Sequence, residues 1–129
     1  SYMLLKSIRG IGDVLALTIL YEIHTIERFP TVQKFASYSR LIKCKAESAG
    51  KVYGTSGNKI GNAHLKWAFS EAAAIYLRGN EKAQNYHAHL VKKHGKGKAM
   101  GILSHKLGRA VYFMLKHKEA FDESAFLNG

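Results

Sequence analysis

Three short stretches carry residue types that can act on a phosphate. The first is Glu47-Ser48-Ala49-Gly50-Lys51. A serine hydroxyl attacks a phosphodiester when its pKa is lowered and nearby cations stabilise the developing charge. Lys43, Lys45 and Lys51 would supply that field. From the string alone, Ser48 is an ordinary loop residue first and a nucleophile second. The string does not match the Gly-x-x-x-x-Gly-Lys-Ser/Thr loop of nucleotide hydrolases. The second stretch is Ile8-x-Gly10-Ile11-Gly12, which has the form of a helix-hairpin-helix turn. Glycines at Gly10 and Gly12 permit a tight turn whose amides, with the next helix N-terminus, hold one phosphate without reading sequence. A compact connection between two apolar helices explains the same string. The third stretch is Gly54-x-x-x-Asn58-Lys59-Ile60-Gly61-Asn62, leading into Leu65-Lys66. Asn62 can cap a helix there, with Lys59 and Lys66 near its N-terminus. Phosphate docking and plain capping are compatible readings.

Other chemistries find less support. His87 and His89 are two apart and do not share a helix face, while His94, His105 and His117 are scattered. No metal spacing results. The nine acids form no pair suited to two-metal phosphoryl transfer. A single cysteine, Cys44, excludes an internal disulfide framework and a zinc knuckle.

The charge is concentrated. The formal net charge is +11 over 129 residues. Residues 31–66 hold seven Lys or Arg against Glu47, and residues 82–109 hold seven against no acid; the remaining segments nearly cancel. The second segment includes Lys92, Lys93, Lys96 and Lys98. A polyanion is the natural partner of two such segments, and a solvated surface is the plainer reading. No apolar run reaches the roughly 20 residues of a membrane span. No charged and then apolar leader opens the chain, which argues against a secretory precursor.

These residues need a scaffold, and its elements read as helices. With 47% hydrophobic residues the chain can fill a core, and its length suits one domain. Residues 2–8 read as a short helix, broken at Ile8–Gly12, and Asp13 is placed to cap the next. Residues 14–23 are apolar almost all round, which predicts a helix buried within the domain. Pro30 and Thr31 start another, with Val32, Phe35 and Ala36 spaced toward the core. Residues 41–58 lose that periodicity and read as a long Gly/Ser/Lys loop or a short hairpin. Helices are predicted over 62–78, 81–94 and 99–118, with HGKGKAMG breaking or bending the chain between the last two. Leu65, Ala68, Phe69, Ala72 and Tyr76 share a face of the first; Ile102, Leu103, Leu107, Val111, Met114 and Leu115 point inward from the last. The expected class is all-α: a hairpin over about 2–24, a catalytic-type loop over about 41–61 and a helical remainder over 62–118.

The motifs also occur in a familiar order. L-x-S-I-R-G-I-G-x-x-x-A (Leu5 to Ala16) is followed by E-I-x-x-I-x-R-F-P (Glu22 to Pro30) and F-A-S-Y-S-R-L (Phe35 to Leu41). S-A-G-K (Ser48 to Lys51), G-x-x-x-N-K-I-G-N-x-x-L-K (Gly54 to Lys66) and E-A-A (Glu71 to Ala73) complete it. Over roughly residues 4–118 this resembles the C-terminal domain of insertion-sequence transposases with an N-terminal RuvC-like DEDD nuclease domain, and it is similar to pilin-gene invertases. Ala49 intervenes where the family often has Ser-Gly or Ser-Ser-Gly, and Asn58 stands where Ser or Thr is frequent. The resemblance implies part of a prokaryotic, cytoplasmic DNA recombinase in which Ser48 is the nucleophile. It implies that DNA is the partner and that a structured guide RNA directs some members. It also implies homo-oligomeric assembly, with Mg2+ held by the N-terminal domain and no cofactor in this one. On that reading the chain is a fragment, inactive alone.

Overall fold

A computed structural model describes residues 1–42 and 61–128. The described residues are helical and contain no strand. The elements are α1 (Tyr2–Lys6), α2 (Asp13–Ile23), a 3-10 turn (Ile26–Arg28), α3 (Val32–Tyr38), α4 (Ala63–Leu77), α5 (Glu81–His94), α6 (Lys96–His117) and α7 (Glu123–Asn128). The α4 and α6 helices pack together most extensively, with α2 against α4, α3 against α6, and α5 along α6.

Periodicity dictates this packing. Leu65, Ala68, Phe69, Ala72 and Tyr76 of α4 are all buried. So are Leu103, Leu107, Val111, Met114 and Leu115 of α6, while Ile102 is half-buried. Phe35 packs edge-on to Phe29 and Phe69, and tilted against Tyr112, so α3 is sealed onto α4 and α6 by rings. The buried Tyr112 hydroxyl donates to the Phe29 carbonyl at 2.8 Å, so this ring is not left with an unpaired polar tip.

Helix starts follow side-chain caps where the sequence offers them. Thr31 accepts from the Lys34 amide and begins α3; Asn62 accepts from the Leu65 amide and begins α4. Asn80 does the same for α5 through Ala83. The expectation for Asp13 is corrected. Gly12 is the N-cap of α2, and the Asp13 carboxylate turns back to α1, where it accepts from Tyr2 and from Lys6 Nζ at 2.7 Å. A tertiary partner has taken the side chain away from its own helix.

Two further expectations change. Helix α2 is not buried all round. Leu15, Ala16, Ile19 and Ile23 face the core, while Val14 and Tyr21 are 73% and 82% exposed. The break before the last long helix is also narrower than the glycines of HGKGKAMG suggest. The chain turns at Gly95 alone, and Gly97 and Gly101 lie within α6. Beyond α6 the chain adds α7, which the apolar pattern did not announce. Phe121 and Phe126 pack edge-on to Tyr76, and Glu123 accepts from the Tyr76 hydroxyl at 2.8 Å.

Candidate nucleic-acid interface

Residues 42 and 61 frame the segment that contains Ser48, and both sides of that frame are tied to the core. The Asn62 amide donates to the Tyr38 carbonyl at 2.6 Å, and the Leu41 amide to the Ala36 carbonyl at 2.9 Å. A Cβ added to Gly61 would lie 2.8 Å from the Tyr38 carbonyl, so only glycine allows the two backbones to come this close. The Leu41 side chain, in turn, presses on Gly108 of α6. A Cβ there would meet it at 2.3 Å.

Polar groups from three helices lock this frame. Asn62 caps α4 with its oxygen and donates its amide to Glu22 of α2 at 2.8 Å and to the Tyr38 hydroxyl at 3.4 Å. Arg28 lies 5.0 Å from the Phe29 and Tyr38 ring centres and donates to the Ile23 carbonyl at 2.7 Å, closing the end of α2. The hydrogen bond from Asn62, then that from Arg28, lowers the Tyr38 pKa from its ordinary value. On the outside of the frame, Lys66 Nζ reaches the Arg40 carbonyl at 3.4 Å. Arg40 itself holds a left-handed backbone, φ 56°, a conformation an ordinary side chain rarely adopts.

The structure sorts the residues singled out from sequence. Ser48, Lys43, Lys45, Lys51 and Lys59 lie outside the described residues. Lys66 stands at the frame. Lys92, Lys93, Lys96 and Lys98 are exposed and crowd one corner, where α5 ends and α6 begins. The first pair suits the negative end of α5. The second pair does not suit the positive end of α6, which has no acid in its first turn and no side-chain cap. Cations at a helix N-terminus are unfavourable there, and an anion bound across the corner would relieve them.

Gly10 and Gly12 turn out to differ. Gly10 has φ 94°, and a Cβ there would strike Ile75 of α4 at 2.6 Å; its role is to let the turn between α1 and α2 approach α4. Gly12 has nothing within 4 Å and is the open side of the turn. Beside it, the Lys6 and Tyr2 hydrogen bonds hold the Asp13 carboxyl below its usual pKa, so the first turn of α2 already carries a negative charge.

The comparison with known proteins adds the deciding observation. The model of the Transposase IS116/IS110/IS902 family matches residues 2–88, two-thirds of the chain. The chain belongs to that family. It is therefore an insertion-sequence transposase domain. No curated protein and no solved structure matches it. The matched stretch contains α1 and α2 with the turn between them, the frame around residues 42 and 61, and α4; the lysine corner lies beyond it.

Sequence reasoning passed over two features of this transposase domain. The Glu22–Asn62–Tyr38 hydrogen bonds join residues 40 and 24 positions apart, and spacing carries no sign of them. Trp67 is half-exposed on α4, off the apolar stripe of Leu65, Phe69 and Ala72. That offset was the available signal. Among the described residues no three His, Cys, Asp or Glu side chains converge on a metal position. None of the described helices is long and apolar enough to cross a membrane.

Proposed function

We propose that this transposase domain grips the DNA backbone through the α5–α6 corner and contributes Ser48 as the nucleophile of strand cleavage and transfer. The observation that carries the first part is the placement of Lys96 and Lys98 on the first turn of α6, beside Lys92 and Lys93, with no acid anywhere in residues 82–109. Such a corner binds phosphates without reading bases. Gly12 and Lys66 offer secondary phosphate contacts, and Lys43, Lys45, Lys51 and Lys59 add charge on the segment with Ser48.

For the second part, the support is the family match together with the doubly tied frame at residues 42 and 61. The Ser48 oxygen would bond to phosphorus as one deoxyribose oxygen leaves, which retains the phosphodiester as a protein–DNA link. The metal chemistry would belong to an N-terminal RuvC-like domain of the same enzyme, assembled as a homo-oligomer, and a structured RNA is the other polyanion the corner suits.

Replacing Lys92, Lys93, Lys96 and Lys98 by Ala should weaken DNA binding by roughly 100-fold at moderate salt. It should also flatten the plot of log affinity against log salt by about 3 to 4, near 0.9 for each phosphate no longer neutralised. An unchanged slope overturns the corner. In the full-length enzyme, Ser48→Ala should abolish strand exchange and the covalent adduct while DNA binding stays near normal. Recombination by that variant would leave a binding module without chemistry, the alternative reading.

A further inference from the structure

Trp67 is the single tryptophan of the chain, and half of it is exposed. The core does not use its ring. None of the ring pairs and none of the cation–ring interactions among the described residues involves Trp67. Of the residues one turn away, Ala63 and Ser70 are small and exposed, as is Ala74 a turn further; His64 is exposed and Glu71 half-buried.

Its surroundings point to an anionic chain. Lys66 is the preceding residue, exposed, with its Nζ on the Arg40 backbone carbonyl at 3.4 Å. His64 lies one turn back. Glu71, half-buried one turn on, is the first acid after Glu47, so 23 consecutive residues carry none. Trp67 is five residues from Asn62, about 7.5 Å along the axis of α4 and roughly 140° around it. The apolar side chains exposed on α2 provide the contrast, because that helix has no Lys or Arg.

From this we infer that Trp67 is a stacking platform for an unpaired nucleobase on the exposed side of α4, with Lys66 beside it to take a flanking phosphate. Any base offers a π-face to such a ring, so the site selects single-stranded or opened nucleic acid over duplex and not a sequence. It deepens the nucleic-acid reading above and rests on it. DNA strands and RNA loops present the same chemistry, and the test separates them.

The lone indole makes the site directly observable. Labelled single-stranded DNA, single-stranded RNA and duplex DNA are titrated with the 129-residue chain, with anisotropy and tryptophan emission followed together. Emission should fall with the same midpoint as the anisotropy rise for the single strands, more strongly for whichever is the native ligand, and change little for duplex. Trp67→Ala should weaken single-strand binding roughly tenfold or more. Trp67→Phe should recover most of that affinity, and duplex affinity should stay within about twofold in both variants. Single-strand binding that leaves emission and the Trp67→Ala affinity unchanged overturns the platform while the nucleic-acid reading stands. If no oligonucleotide raises the anisotropy, both fall.

Discussion

Helices α2 and α5 are close in length and opposite in surface. Helix α2 has no Lys or Arg and buries four side chains deeply, yet it leaves Val14, Leu17 and Tyr21 in solvent. Helix α5 buries Ala83 alone and carries Lys82, Lys92, Lys93 and three histidines. One helix holds the domain together, and the other rides on α6 as a charged edge. The lesson is that apolar side chains locate the scaffold and charged ones locate the surface proposed to bind, but neither says which face of an apolar helix is inside.

That division can be tested, beginning where it should show most. Ile19→Ala removes a fully buried side chain from α2 and should cost about 3 kcal/mol of stability. DNA affinity of the folded fraction should not move. The four-lysine variant should behave inversely, with unfolding in urea within about 0.5 kcal/mol of the parent. If either variant shifts both quantities, the two helices are not separable in function.

Next in size is the glycine pair that leads into α2. Gly10→Ala meets Ile75 and an unfavourable φ, and should lower stability by about 2 kcal/mol. Gly12→Ala meets nothing and should stay within about 1 kcal/mol. Equal losses would mean that the turn between α1 and α2 does not lean on α4 through Gly10.

The smallest effect concerns α6, the support of α5. Burial, then the charge of Arg109, lowers the His105 pKa from its ordinary 6.5. The unfolded chain therefore binds this proton more readily than the folded one. Stability from this group is complete above about pH 6.5 and declines as pH falls toward the lower folded value. Thermal melts between pH 7.5 and 5 should show the decline, and His105→Gln should flatten it.

Much of this was legible in the sequence, for identifiable reasons. Thr31, Asn62 and Asn80 are local caps, so the starts of α3, α4 and α5 could be read from a few residues. The stripes of α4 and α6 repeat over several turns. The misreadings have tertiary causes. Asp13 is a good cap by type, but Lys6 and Tyr2 of α1 compete for it. Helix α7 is six residues long, shorter than the pattern needs, and is held by Tyr76 and Asn80 through Glu123. The lysine corner was visible as a charge run. Its position across the junction of the helices predicted over 81–94 and 99–118 was visible too, but not that Gly95 alone turns the chain, because the neighbouring glycines look the same in sequence. Ser48 is a candidate by motif and family likeness alone and lies outside the described residues.

The tied frame at residues 42 and 61 has a consequence for how such domains diversify. A chain whose two ends are already fixed side by side no longer depends on its own length for closure. Doubling the insert would cost only about 0.6 kcal/mol in closure entropy. The helical body is therefore a socket. Segments of different length and charge between the same two anchors should leave it folded, which gives evolution, or an engineer, one place to vary the chain without rebuilding the protein.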